Sequence, residues 1–178
     1  DRAFDGGPFH VYFQGLLRAD ADHVLHMDSD MLFGGGSQGW IDEAIALFEH
    51  EPDAIFACPF PGPPRPDGSI DEARHVAFPG MRGIRAPQRI DAPWPAYRFP
   101  TVSTRIFLMN MKRFSERVGA LSLVRPDLKR RLRAVAYGEA PASMPAEEML
   151  SANMEARGLS RIDFLGSGDG MFSLHPPY

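Results

Sequence analysis

Apolar residues follow two alternating patterns along this chain. In some segments they recur every three or four residues, which gives a helix one apolar face. In others they form short continuous runs, which are typical of strands buried within a sheet. The first pattern predicts helices over residues 8–19, 38–50, 111–120, 125–137 and 145–158. The second predicts strands at residues 24–27, 54–59, within 100–110, and at 160–165. The chain is therefore predicted to be an α/β protein.

The helix at 38–50 lies between two predicted strands, at 24–27 and 54–59. A strand, a helix and a second strand of these lengths are typical of a βαβ unit, so we expect the two strands to pair in parallel. Val24, Leu25 and Met27 form a run too densely apolar for a half-exposed strand. We therefore expect the first strand to be covered on both faces.

Two acids, Asp28 and Asp30, follow this strand directly. An ionised carboxylate is costly to bury without a partner, so the acids must lie where the strand leaves the sheet. The carboxyl ends of strands in open α/β sheets are where ligands bind, and two carboxylates there can share a hard divalent cation. The alternative is a strand-end turn in which the acids cap backbone N–H groups. The similar pair Asp20 and Asp22 precedes the strand and is predicted to be a solvated turn.

Residues 59–99 have little periodicity and are rich in proline and arginine, so we expect one long irregular loop. The loop is either a surface excursion with its arginines in water or a cover over a cleft. Residues 125–137 form the second unusual segment, because their predicted helix has a strongly basic face. A solvated face is the usual explanation for such a run, and a patch that lies on a membrane surface is the alternative.

Composition limits the classes of function. The 178 residues suffice for one domain, and a net charge of -4 argues against nucleic acid as a partner. Cys58 is the single cysteine, so no internal disulfide can form. A reducing compartment, the cytoplasm, is the simplest expectation, with association at the cytoplasmic face of a membrane left open. No apolar run is long enough to span a membrane.

Asp28-Ser29-Asp30 resembles the Asp-X-Asp motif of the GT-A glycosyltransferases. A later segment strengthens this resemblance: Glu147 and Glu148 begin a predicted helix that ends near Gly158 and precedes a strand. That order is similar to the acidic motif of the inverting family-two glycosyltransferases, in which the usual pair is Glu-Asp. The resemblance implies a GT-A (Rossmann-like) mixed sheet flanked by helices. It also implies that residues 1–178 form a single, partial domain that lacks the N-terminal nucleotide-binding strands.

The resemblance further implies a site. Asp30, with Asp28 and the late His175, would hold Mn²⁺ or Mg²⁺ against the diphosphate of a nucleotide-sugar donor. Glu147, or Glu148 if the register differs, would be the catalytic base that activates the hydroxyl of a carbohydrate or lipid-linked acceptor. Three further residues are candidates for substrate contacts, Ser103 and Thr104 through their hydroxyls and Trp94 by stacking on a sugar ring.

Each of these residues also has a purely structural explanation. The acids of residues 147–148 would favour the positive end of a helix, the two hydroxyls would bond their own backbone, and His175 would be a hydrogen-bonded surface residue. Two other functions also remain open. A nucleotidyltransferase would use the same acids and metal, and a sugar-binding or scaffold domain would keep the fold without turnover.

Overall fold

The structure, a computed structural model, describes residues 15–70, 87–119, 121, 128–136 and 146–174. The strands in these ranges are β1 (His23–Met27), β2 (Leu32–Gly35), β3 (Ala54–Pro61), β4 (Gln88–Arg89), β5 (Ala96–Phe99), β6 (Ile106–Asn110), β7 (Ser160–Phe164) and β8 (Met171–Leu174). The helices are α1 (Trp40–His50), α2 (Met111–Arg117), α3 (Leu128–Ala136) and α4 (Ala146–Glu155). Most of the helix predicted at 8–19 lies outside the described residues. In its described part, residues 15–17 are helical.

The strands form one mixed sheet in the order β1-β6-β3-β7-β5-β4, with β2 paired to β8 and β8 also paired to β3. The strand β3 runs parallel to β7 and to β8, and the other described pairs are antiparallel. The α/β class is therefore confirmed, as a mixed sheet of mostly antiparallel strands with a few helices. None of the helices in the described ranges has the length and apolar character needed to cross a membrane.

The predicted parallel pairing of β1 with β3 is wrong. The strand β6 lies between them and pairs antiparallel with each. Both therefore run in the same direction, as in a βαβ unit, but a strand from much later in the chain separates them. The spacing of apolar residues along a segment indicates that a strand will form there. It does not indicate which strands will be neighbours, such as β6 between β1 and β3.

The expectation that β1 is covered on both faces is also wrong. Leu25 is 46% exposed and Met27 is 50% exposed, while the intervening His26 is half-buried. Alternate side chains of a strand point to opposite faces. The face that carries Leu25 and Met27 is therefore open towards the end of β1, although His23 at its start stacks on Phe48 of α1. The predicted position of the acids at the carboxyl end of this strand is confirmed, because β1 ends at Met27.

Helices cover both faces of the central strands. Residues of α2 and α4 join one buried cluster, which includes Phe56 and Phe107. Residues of α1 join another cluster, which includes Ala57 and Phe164. Neighbouring residues of β3 thus contribute to opposite faces, and the sheet forms the middle layer of the described fold.

The predicted irregular loop at 59–99 needs correction at both ends. The strand β3 continues to Pro61, and the strands β4 and β5 occupy the later part of the segment, whereas residues 71–86 lie outside the described residues. Tyr97 and Phe99 of β5 are buried, and Arg98 forms ion pairs with Glu51 and Asp53. Cross-strand pairing with β7 stabilises a segment whose proline content predicts an irregular loop.

The three glycines after the acids permit the close pairing of β2 with β8. The ring of Phe172 lies where a side chain on Gly34 would point. The amides of Gly36 and Ser37 both donate to the carbonyl of Gly170, at 2.8 and 2.9 Å. A ring that packs over a glycine in a neighbouring strand is a recognised stabilising device in sheets. This pairing fixes the chain on the far side of the acidic turn.

Candidate functional site

Three chain segments meet where β1 leaves the sheet. The amide of Asp28 donates to the carbonyl of Arg105 at 2.7 Å. The next residue towards the N-terminus, Thr104, donates its amide and its hydroxyl to Oε1 of Glu147, at 2.7 and 3.0 Å. The acidic turn after β1, the entry to β6 and the first turn of α4 therefore lie side by side.

Strand register explains why the first two segments meet. Met27, the last residue of β1, pairs with Ile106, the first residue of β6. In an antiparallel pair the end of one strand lies beside the start of the other, so residues 28–31 emerge next to residues 103–105. The amide of Met31 donates to the carbonyl of Asp28 at 3.3 Å and closes the acidic turn.

A second tether holds α4 against the same segment. The hydroxyl of Ser151 donates to the carbonyl of Glu147 at 2.6 Å and accepts from the amide of Val102 at 2.8 Å. The buried side chains of Leu150 and Met154 anchor the helix in the core. Glu147 is thus half-buried on a fixed helix, with its carboxylate held by two donors from one residue.

Ser151 was not predicted, although it lies one helical turn after Glu147, a spacing at which a serine hydroxyl commonly bonds the earlier carbonyl. His26 was also not predicted. Its Nε2 lies 3.3 Å from Oδ1 of Asp28, and its ring stacks on Phe107 with 5.2 Å between centroids. The spacing of two residues along a strand could have identified it, because such residues share a face.

The other predicted residues are placed less completely. Asp30 and Ser103 are half-buried, and Asp30 takes part in at least one polar interaction. His175 lies outside the described residues, as does the side chain of Glu148. Leu174, which precedes His175 in the sequence, pairs with Leu32, two residues after Asp30.

The acidic turn supplies oxygen ligands of the kind that Mn²⁺ and Mg²⁺ prefer. Asp28 and Asp30 are both half-buried at one strand end, with the His26 imidazole beside Asp28. Within the ranges described by the structure, no group of three His, Cys, Asp or Glu side chains is positioned to hold a metal ion. The fit is therefore partial, with two carboxylates near one strand end.

Trp94 is not brought to the acids. Its ring packs against Phe164, with 5.7 Å between centroids, and belongs to the margin of the buried cluster that includes α1. It precedes β5, which is separated from β1 by β6, β3 and β7. The ring therefore lies beside β7, with β3 and β6 between that strand and β1.

A buried ion pair lies in β7, the strand that follows α4. Nε of Arg161 is 2.7 Å from Oδ1 of Asp163, and the guanidinium lies 4.3 Å from the centre of the Phe99 ring. Burial alone would lower the pKa of Arg161, but the attraction of Asp163, with a smaller contribution from Glu147, raises that pKa above its ordinary value. Arg161 is therefore a permanent cation within electrostatic reach of Glu147.

A shallow depression of about 380 Å³ lies at the opposite end of β1. Its lining residues come from the segment before β1 and from α2: Leu17, Ala19, Asp20, Ala21, Asp22, Met111, Lys112 and Ser115. The exposure of Asp20 and Asp22 confirms that this pair is solvated. The depression is distinct from the acidic turn at residues 28–31.

The chemical interpretation of this site is based on contacts within the chain. No family model, no curated protein and no solved structure matches the chain. The contact of Thr104 with Glu147, beside the bond of Asp28 to Arg105, is what brings acids from distant parts of the sequence together.

Proposed function

We propose that this protein transfers a sugar from a nucleotide-diphosphate sugar to an acceptor hydroxyl, with inversion, in the manner of the GT-A glycosyltransferases. One observation carries the proposal. The carboxylate of Glu147 accepts two hydrogen bonds from Thr104, and the carbonyl of the neighbouring Arg105 accepts one from the amide of Asp28. A group able to accept a proton thus lies beside a turn whose acids can hold a cation, as sugar transfer with a diphosphate leaving group requires.

Asp28 and Asp30 would hold Mn²⁺ or Mg²⁺, with His175 as the further ligand. The pairing of Leu174 with Leu32 supports this choice. Consecutive Cα atoms are about 3.8 Å apart, so the covalent chain limits how far residue 175 can lie from a strand that starts beside the acidic turn. When bound, such a cation supplies charge neutralisation for the departing nucleoside diphosphate.

Glu147 would take the proton from the acceptor hydroxyl as that oxygen attacks the sugar. Both bonds from Thr104 end on Oε1, so Oε2 would be the oxygen that takes the proton. Two donors to one oxygen also fix the carboxylate in a single orientation, and orientation is a large part of acid–base catalysis. Glu148 is the alternative base, since the usual pair in the resembling family is Glu-Asp.

The hydroxyl of Thr104 would have a second role besides the predicted substrate contact. It donates to Glu147, so Thr104 is a positioning residue for the base. Ser103, which is half-buried next to it, remains the candidate for contact with the carbohydrate or lipid-linked acceptor. The nucleotide-sugar donor would occupy the space in front of the acidic turn.

The catalytic arm of the test uses the variant Glu147→Gln. With a panel of nucleotide sugars and Mn²⁺, we expect donor binding to be retained and transfer to fall at least about 100-fold, because an amide cannot accept the proton. The matched control is Glu148→Gln, which should keep most of the activity. If Glu148→Gln abolishes transfer while Glu147→Gln does not, Glu147 is not the base.

The metal arm uses Asp30→Ala in calorimetric titrations with Mn²⁺ in the absence of a sugar. We expect the affinity to fall at least about tenfold, because a carboxylate ligand is lost. Asp20→Ala is the matched control, because it lies in the same acid-X-acid spacing on the other side of β1. Equal Mn²⁺ affinity in both variants would contradict the metal site. Release of pyrophosphate from a nucleoside triphosphate and a sugar phosphate, in place of a nucleoside diphosphate from a nucleotide sugar, would identify a nucleotidyltransferase.

A further inference from the structure

The nine-residue helix α3 is the most strongly basic element in the described part of the chain. Its sequence contains Lys129, Arg130, Arg131 and Arg133, and no acid. The chain as a whole has a net charge of -4, so the remainder is more acidic than the total. A concentrated positive charge on one helix of an acidic protein is an electrostatic footprint for an anionic partner.

The same helix exposes an aliphatic stripe. Leu128 is 69% exposed, and Leu132 and Val135 are each 62% exposed. At 100° per residue these three positions fall within about 60° of one another on the helix circumference. A stripe at this spacing ordinarily faces a core, yet here it faces outwards.

Exposed cations border the stripe on both sides. Lys129 lies about 100° from Leu128 in one direction and Arg131 about 60° in the other, and both side chains are exposed. Long basic side chains can reach upwards to phosphate while their methylene groups stay on apolar material. The pattern is therefore aliphatic at the centre and cationic at the rim.

We propose that α3 lies in the surface of an anionic lipid bilayer, with Leu128, Leu132 and Val135 among the acyl chains and the cations at the headgroup phosphates. An anionic bilayer would contact both the aliphatic stripe and the cationic rim. The stripe would be removed from water, and the cations would lie at the negatively charged surface. An anionic polymer would use the cations alone and would leave the stripe exposed. A second protein would use the stripe and would need a matching acidic rim. The inference does not depend on the proposed sugar transfer.

The apolar arm of the test is co-sedimentation of the purified protein with vesicles of phosphatidylcholine, with and without phosphatidylserine. We expect binding only where phosphatidylserine is present. The variant Leu132→Ser should reduce the partition coefficient at least about tenfold, because a leucine side chain is no longer buried in the bilayer. Ile41→Ser is the matched control, since Ile41 is an exposed aliphatic residue on α1, and it should bind as the wild type does.

The charge arm uses the double variant Lys129→Gln and Arg131→Gln, with Lys112→Gln on α2 as its control. Each lost charge should weaken vesicle binding about fivefold. Added salt should also weaken binding, because it screens the attraction to the anionic surface. Three results would overturn the inference. These are equal vesicle binding by wild type and both α3 variants, binding that is indifferent to phosphatidylserine, and loss of a lipid-free dimer as the sole effect of Leu132→Ser.

Discussion

The strands β1 and β3 belong to one sheet and have similarly apolar sequences, but they are covered very differently. The strand β3 pairs with β6, β7 and β8, and every residue from Ala54 to Phe60 is buried. The strand β1 pairs with β6 alone among the described residues, and Leu25 and Met27 are about half exposed. Burial in this sheet therefore follows the number of neighbouring elements and not the apolar content of the strand.

The two halves of the sheet are also held by different interactions. Around β3 and β7, aromatic rings dominate, as in the stack of Trp40 on Phe164 with 4.9 Å between centroids. Around the end of β1, hydrogen bonds run from Asp28 to Arg105 and from Thr104 to Glu147, beside the stack of His26 on Phe107. Hydrogen bonds add less net stability than apolar burial but specify geometry, so the candidate site lies where geometry is fixed and burial is low.

The largest expected loss of folding stability comes from a substitution at the centre of β3. The variant Phe56→Ala should lower the free energy of unfolding by about 3–5 kcal/mol, because it removes a fully buried ring that packs edge-on against Phe107. Denaturant unfolding followed by circular dichroism measures the change. If that variant does not fold, Phe56→Leu should fold and cost no more than about 1.5 kcal/mol.

The matching change in β1 is Leu25→Ala, which should cost less than about 1 kcal/mol, because that side chain is already half in water. Equal losses at the two positions would break the contrast between the strands. Such a result would mean that β1 is covered in solution by something that buries Leu25 as fully as Phe56.

The elements of this fold are predictable from the sequence to the extent that they are local. The helix predicted at 38–50 and the strands at 54–59 and 160–165 are confirmed because periodicity and apolar runs are properties of neighbouring residues. The helix stop at Gly158 is confirmed by its positive φ of 64°, which favours glycine. Strand order is not local, and the insertion of β6 between β1 and β3 depends on contacts across about eighty residues of chain.

The candidate site was predictable in its residue types but not in its contacts. The pairing of Thr104 with Glu147 joins two residues that were each proposed separately, and nothing in the sequence indicates that they meet. Trp94 was a candidate for stacking on a sugar, and the sequence gives no sign of its contact with Phe164, which comes from a distant strand. The metal ligands and the catalytic base stay predictions.

An intermediate loss of stability is expected from a change at Gly34 in β2, the strand that follows the acidic turn. Gly34→Ala should lower the free energy of unfolding by about 2 kcal/mol, because the added methyl group would displace the ring of Phe172 and loosen the β2–β8 pair. Gly36→Ala is the matched control, where the nearest atoms lie at 3.7 Å or more. Equal stability of the two variants would mean that the β2–β8 pair is not held by close packing of Phe172 on Gly34.

The last effect tests the burial of β3 through the pH dependence of stability. Cys58 in β3 lies opposite Asp163 in β7, and burial, followed by the charge of Asp163, raises the pKa of the thiol well above its ordinary value. In the unfolded chain the thiol ionises near its ordinary pKa, while in the folded protein it stays protonated. The stabilisation is therefore complete below the ordinary thiol pKa and is lost as pH rises from there towards the folded pKa, by up to about 1.4 kcal/mol per pH unit.

The comparison that isolates this thiol is wild type against Cys58→Ala, each unfolded in denaturant with a reducing agent at pH 7, 8, 9 and 10. Lysine and tyrosine titrate equally in both proteins, so their contributions cancel in the difference. We expect the difference in unfolding free energy to be constant up to about pH 8 and to shift against the wild type above about pH 9, where the unfolded thiol ionises. A difference that stays flat to pH 10 would mean that water reaches Cys58 in the folded state. The contrast between a dry β3 and a half-exposed β1 would then fail at its most buried position.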